Sequence, residues 1–120
     1  MLSTTSKIID LGNGQTKEIY YFDYSLNKKL EIKRISYYSN YSKERYHHED
    51  GPAIIWFYRN GRVRSEHYYL NGKLHREDGP AVIFYNEDGV VTEKYYYLNN
   101  RELSKKSFEN ELIKLKLKII

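Results

Sequence analysis

Two stretches of this chain gather imidazole and carboxylate side chains at a spacing suited to chemistry. His47, His48, Glu49 and Asp50 run into Gly51-Pro52, and His75, Arg76, Glu77 and Asp78 run into Gly79-Pro80. Clusters of this kind hold divalent metals through ring nitrogens and carboxylate oxygens, or move protons as general acids and bases. The same residues also build turns. An Asp side chain before Gly-Pro satisfies turn amides, Gly accepts an unusual φ, and Pro opens a strand whose first amide needs no partner. Duplication weighs for the turn, because a catalytic centre brings unlike residues together once and this constellation occurs twice. Asp50, Gly51, Pro52, Asp78, Gly79 and Pro80 are therefore read as structural, with Arg76 expected to pair with a carboxylate of its own or the adjacent unit. No catalytic, metal-binding or cofactor-binding residue is assigned; in the competing metal reading the ligands are His47, His48 and His75. Neither Gly-x-Ser-x-Gly, nor a phosphate-binding Gly-rich loop with Lys, nor His-Glu-x-x-His occurs, and no enzymatic activity is expected.

The clusters belong to a longer internal repeat. Residues 47–55 return 28 residues later as residues 75–83. The same offset carries Gly61 onto Gly89, Val63 onto Val91, and Tyr68-Tyr69-Leu70-Asn71 onto Tyr96-Tyr97-Leu98-Asn99. Self-similarity at this period marks stacked supersecondary units, each too small to bury an apolar face alone. Residues 53–59 and 62–70 flank Asn60-Gly61, and residues 81–87 and 90–98 flank Asp88-Gly89. Both pairs read as hairpins closed by two-residue type I′ turns, whose central residues need positive φ. That register sets Ile54 opposite His67, Trp56 opposite Ser65 and Tyr58 opposite Val63. In the second unit it sets Val82 opposite Tyr95, Phe84 opposite Glu93 and Asn86 opposite Val91. Ile54, Trp56, Val63, Val82, Phe84 and Val91 then share the expected core face. Ile55, Phe57, Ile83 and Tyr85 fall on the other with Arg64, Glu66, Thr92 and Lys94, so the sheet is expected to be half covered.

Asn71-Gly72 and Asn99-Asn100 signal further turns. Upstream, Tyr37-Tyr38-Ser39-Asn40 reads as a third copy of the Tyr-Tyr run, followed by a loop three residues longer. Residues 18–24 and 30–38 read as a degenerate first hairpin around Leu26-Asn27-Lys28. At the other end Ser104 can cap a helix on which Phe108, Leu112, Leu115 and Ile119 fall at helical spacing. Ile113, Leu115, Leu117 and Ile119 also alternate with lysines, which is strand periodicity. The helix is favoured because Phe108 and Leu112 extend its stripe and no turn intervenes; either form would cap the stack. The expected fold is mostly β, with repeated antiparallel β-hairpins in an elongated, twisted single-layer sheet and a C-terminal capping helix. It forms one domain: a degenerate hairpin over residues 1–40, repeats over 41–71 and 72–103, and the cap over 104–120.

Composition narrows the classes. Of the 120 residues 14 are tyrosines, against 4 Phe and 1 Trp. Tyr suits a thin sheet, with a ring to pack and a hydroxyl that still reaches water. The chain has no cysteine, so disulfides and thiolate metal sites are excluded, which fits a reducing, intracellular setting. No apolar run approaches about 18 residues, so no membrane span is expected, and no signal peptide is read at the N-terminus. The formal charge is +4, with Lys and Arg interleaved with Asp and Glu except in the lysine-rich tail, a balance that more often serves solubility than nucleic-acid binding.

Residues 69–83, Tyr-Leu-Asn-Gly-Lys-Leu-His-Arg-Glu-Asp-Gly-Pro-Ala-Val-Ile, resemble a β-hairpin repeat of uncharacterised proteins from giant DNA viruses, phages and some bacteria. They are more distantly similar to MORN-type repeats, which are richer in regularly spaced Gly. The likeness is close over residues 68–102, good over 47–71 and weak before Lys33. It implies a repeat architecture and carries no activity. The expected function is a non-enzymatic module for a protein partner or for self-association, with Trp56, Phe57, Tyr58, Arg64 and Tyr85 as contact residues. In a virus this would be a virion component or an inhibitor of a host factor, acting in the virion or host cytoplasm. One alternative is single-stranded nucleic-acid or nucleotide binding by exposed tyrosines beside Arg62, Arg64, Lys73 and Lys94. Another is a toxin-neutralising immunity protein.

Overall fold

The chain was analysed as a computed structural model, which describes residues 6–22 and 31–118. These form strands β1 (Ser6–Gly12), β2 (Gln15–Tyr21), β3 (Ile32–Ser39), β4 (Ser42–Tyr46), β5 (Ile54–Phe57) and β6 (Val63–His67). There follow β7 (Tyr69–Leu70), β8 (Lys73–Leu74), β9 (Val82–Tyr85), β10 (Val91–Leu98), β11 (Arg101–Leu103) and one helix, α1 (Lys105–Leu117). Nine strands make one open sheet in the order β1-β2-β3-β5-β6-β9-β10-β11, with β4 beside the end of β3; β7 and β8 form a separate ladder. Every ladder is antiparallel. The fold is the expected one, a mostly β, single-layer sheet of hairpins that does not close, with one C-terminal helix. Its extents are 58 × 35 × 19 Å and its radius of gyration is 16.6 Å, against about 14 Å for a compact domain of this length.

The turn of the degenerate first hairpin, Leu26-Asn27-Lys28, lies outside the described residues, but β2 and β3 pair as its two arms, Ile19 opposite Ile35. Strand β1 is an addition. It pairs with β2 through Asn13-Gly14, where both residues have positive φ. The same left-handed pair closes β7–β8 at Asn71-Gly72 and β10–β11 at Asn99-Asn100.

The two central hairpins keep the expected register through a detour. Ile54 faces His67 and Trp56 faces Ser65; Val82 faces Tyr95 and Phe84 faces Glu93. Their loops are not two-residue type I′ turns. Tyr58 N–H donates to the Arg62 carbonyl at 2.9 Å and Gly61 N–H to the Tyr58 carbonyl at 3.0 Å, a pattern repeated at Asn86, Gly89 and Val90. Only Gly61 and Gly89 of these loops have positive φ, +89° and +87°. This is the three-residue loop that ends on a left-handed glycine. It slips the ladder by one, and a β-bulge at Arg64, and again at Thr92, restores it. Val63 therefore faces Phe57 and Val91 faces Tyr85, on the face away from Trp56, rather than Tyr58 and Asn86.

Cross-strand pairing sorts the strand residues into two faces. One row on the front runs Tyr20, Arg34, Trp56, Ser65, Phe84, Glu93, and one on the back runs Ile19, Ile35, Ile55, Glu66, Ile83, Lys94. Burial is shared. Ile54 and Val82 are buried on the front and Ile83 on the back, while Ala53 and Ala81 are fully buried where each loop enters its strand.

Helix α1 starts where sequence places it. Ser104 is the N-cap, its side chain accepting from Ser107 N–H, and lysines in the last turn complement the helix dipole. With no further strand to pair, the alternating Ile/Lys segment winds instead of extending. Phe108 is buried against Tyr96, ring centroids 4.9 Å apart, and Leu112 is half-buried. Leu115 is exposed, along with Ile113 and Leu117; Ile119 lies outside the described residues. The helix is thus anchored by its first turns, and Phe108→Ala is expected to cost about 3 kcal/mol. Ser104→Ala is expected to cost about 1 kcal/mol. Urea unfolding followed by circular dichroism measures both, and an unchanged midpoint for Phe108→Ala would show that the helix does not hold the end of the sheet.

Candidate functional site

The Glu-Asp-Gly-Pro loops lie side by side, enclosing a cleft of about 300 Å³ lined by His48, Asp50, Tyr68, His75, Arg76 and Asp78 among others. The first histidine of each loop is fastened through Nδ1, and that of the second loop through Nε2 as well. His47 Nδ1 accepts from Asn71 N–H at 2.9 Å and His75 Nδ1 from Asn99 N–H at 3.0 Å. The proton therefore sits on Nε2, which points at Glu49 (3.5 Å) and Glu77 (2.9 Å). Neither imidazole has a lone pair left for a metal or a substrate proton. Among the described residues, no three His, Asp or Glu side chains converge on one point.

The second position of each loop forms a plug. His48 stacks on Tyr37 at 3.8 Å and 7°, with Nδ1 donating to the Pro52 carbonyl at 3.1 Å. Arg76 does the same in the next unit, 4.0 Å over the Tyr68 ring, donating from Nη1 to the Pro80 carbonyl at 3.1 Å and from Nε to Asp78 at 2.8 Å. That bond holds the Asp78 carboxyl below its ordinary pKa. Asp78 accepts from Arg76 and also from its own backbone N–H, whereas the unit of Asp50 carries His48 in place of the cation.

Gly51 and Gly79 also differ from expectation, since neither has positive φ. The plug crowds Gly79, whereas at Gly51 it leaves ordinary contact distance. A Cβ on Gly79 would stand 3.1 Å from Arg76 Cζ, and one on Gly51 would stand 3.7 Å from the His48 ring.

The five expected contact residues do not form one patch. Trp56 and Arg64 meet on the front face, lining a cleft of about 310 Å³ with Ser65, His67 and Phe84. The bulge brings Arg64 there from the face where simple alternation places it. Phe57 belongs to the back, opposite Val63. Tyr58 is bound to Tyr85, its hydroxyl donating to the Tyr85 carbonyl at 2.7 Å, and the Tyr85 hydroxyl donates to Glu66. The cations of the nucleic-acid reading also separate. Arg62 donates to the Asp88 carbonyl in the next loop, Lys73 lies in β8, and Lys94 is on the back.

Sequence reading missed the row beside Trp56. Arg34 lies opposite Trp56 in β5 and Tyr20 in β2, its guanidinium carbon 4.1 Å from the Tyr20 ring centroid and 4.9 Å from that of Trp56. With Lys33 these residues line a cleft of about 180 Å³. Arg34 Nε is buried without an acceptor, an arrangement that costs about 1–3 kcal/mol. The available signal was the tyrosine alignment, which places Arg34 at the position of Ser65. In the neighbouring cleft His67 Nε2 lies 3.1 Å from Ser65 Oγ, and burial lowers the His67 pKa. This is a nucleophile–base spacing, but among the described residues no carboxylate lines the cleft to orient the imidazole.

Comparison with protein-family models, curated proteins and solved structures returns no match for this chain.

Two outcomes follow from these contacts. Arg76→Ala is expected to cost about 2 kcal/mol, as for loss of a buried, charge-assisted hydrogen bond. Asp78→Ala, whose partner contact is at the surface, should cost under about 1 kcal/mol; chemical denaturation tells them apart, and equal losses would assign the fastening to the carboxylate. The second concerns Tyr85, whose pKa burial and the Glu66 hydrogen bond push up from 10.0 to about 12. The folded chain holds this proton more tightly than the unfolded chain. The stability gained is complete below pH 10 and is lost as pH rises from about 10 towards 12. Tyr85→Phe should therefore be less stable at pH 8 by about 1–2 kcal/mol, with the gap to the parent closing above pH 10.

Proposed function

We propose that this chain is a non-catalytic repeat module that holds a protein partner on the front face of its sheet. The observation that carries the reading is a division of labour. The imidazoles and the guanidinium of the repeated loops are spent on backbone groups, rings and carboxylates of the scaffold, whereas Trp56, Arg64, Phe84 and Arg34 line open clefts. Trp, Tyr and Arg supply most of the energy in protein interfaces because each combines a large apolar surface with a polar group. A rigid hairpin sheet holds them at low entropic cost. The likeness of the repeat to viral and phage arrays fits a partner encountered in a virion or a host. No helix among the described residues is long and apolar enough to cross a membrane.

The test uses the tagged full chain as bait in an extract of its source. A stoichiometric partner should be retained by the parent, and Trp56→Ala should weaken the purified complex by about 2 kcal/mol, roughly thirtyfold. Lys73→Ala, away from the front clefts, should leave it unchanged. A monodisperse monomer by analytical ultracentrifugation that retains no protein would remove the proposal.

A further inference from the structure

The front row also specifies what the partner presents, provided that the module reading holds. Tyr20 and Trp56 are the cross-strand neighbours of Arg34, one on each side, and both rings lie against its guanidinium. A group flanked in this way can be approached only at its edge. Nε is buried, so the accessible edge is the pair of Nη groups, which reach the cleft shared with Lys33. Among the described residues Arg34 makes no ion pair. The adjoining cleft shares Trp56 and adds Arg64. Among the described residues the two clefts together present three cations and no carboxylate. Acidic groups of the same face are engaged: Glu18 is buried and accepts from the Tyr38 hydroxyl, Asp10 accepts from Gly12 N–H, and Glu93 and Glu102 accept from the hydroxyls of Tyr95 and Tyr97.

We infer that the Tyr20–Arg34–Trp56 row is a carboxylate-binding anchor for an acidic protein segment. The carboxylate meets Nη1 and Nη2 end-on, and the segment continues past Trp56 towards Arg64. A guanidinium held between two rings keeps its fork in a fixed plane, which suits a planar, bidentate carboxylate. Base stacking suits it less, because the ring faces beside Arg34 are already covered by the guanidinium and single-strand binding depends on open aromatic faces.

Trp56 is the one tryptophan of the chain, so its fluorescence reports on the site directly. The full chain would be titrated with a capped decapeptide of Glu and Asp, with its Gln and Asn counterpart, and with a ten-nucleotide oligothymidylate. The acidic peptide should shift the emission saturably and the amide peptide should not. Arg34→Gln should weaken binding about tenfold or more through loss of the charged fork. Arg34→Lys, which keeps the charge over the rings and loses the fork, should fall about as far. Lys73→Gln should match the parent. Circular dichroism of each variant excludes unfolding as the cause. Equal binding by the parent and Arg34→Lys would overturn the inference, as would a response to oligothymidylate without one to the acidic peptide, or no response to the acidic peptide. A natural partner bound equally by the parent and Arg34→Gln would overturn this site while leaving the module reading intact. A parent that retains no protein would remove the module reading, and the peptide titration would still decide the anchor.

Discussion

A flat group laid on a tyrosine ring at the end of each unit is the contact on which the rest of this structure depends. It is made by the His48 imidazole on Tyr37 at 3.8 Å and by the Arg76 guanidinium 4.0 Å over Tyr68. At the end of the array the Phe108 ring packs against Tyr96 at 4.9 Å, tilted by 41° rather than stacked. A single-layer sheet has no facing layer against which to bury apolar surface, so each unit folds its own loop back over its last strand. The loop must turn sharply, present a carbonyl to the plug and enter the next strand within a few residues. Gly79 leaves room for the Arg76 plug, Pro52 and Pro80 offer their carbonyls, and Ala53 and Ala81 enter the strands fully buried.

The same loop ties one unit to the next. His47 and His75 each accept the backbone N–H of an asparagine 24 residues further on. Gly72 and Asn100 donate to the carbonyls of Tyr46 and Leu74 in the preceding short strand. These bonds stack successive tight turns along one side of the sheet, and they are the reason for two consecutive left-handed residues at Asn71-Gly72 and Asn99-Asn100. Stability of such an array is a sum of unit and nearest-neighbour terms, so a terminal unit needs a substitute for its missing neighbour. Helix α1 is that substitute: Phe108 takes the place of an imidazole or guanidinium because no third loop follows Tyr96.

Much of this was legible in the sequence because repetition and turn chemistry are local. The 28-residue offset, the asparagine-containing turns and the cap at Ser104 led to hairpins, register and helix. What escaped was governed by compensation or by distant partners. A three-residue loop and a bulge, at Arg64 and again at Thr92, cancel each other, so Trp56 still faces Ser65 as the simpler hairpin requires, and Val63, Arg64, Val91 and Thr92 reveal the difference. Gly79 answers a spatial demand rather than a φ demand, set by Arg76 three positions earlier. Arg34 was passed over because its importance lies in Tyr20 and Trp56, contributed by two other strands.

Comparison of the units with one another also locates where specificity can lie. Positions that make the loop (Glu-Asp-Gly-Pro-Ala and the tyrosine beneath) recur because every unit needs the same fastening. The next front-face position behaves differently. Arg34, Ser65 and Glu93 occupy equivalent places in their strands, since Arg34 faces Trp56, Ser65 faces both Trp56 and Phe84, and Glu93 faces Phe84. A cation, a hydroxyl and an anion at one structural position cannot all be answering an architectural demand. Arg34 and Glu93 reach out between aromatic neighbours, while Ser65 is buried and its hydroxyl meets the His67 ring. The front row is therefore the part of the molecule whose chemistry the fold leaves free, and it varies from cationic at Arg34 to anionic at Glu93 along the long dimension of the sheet.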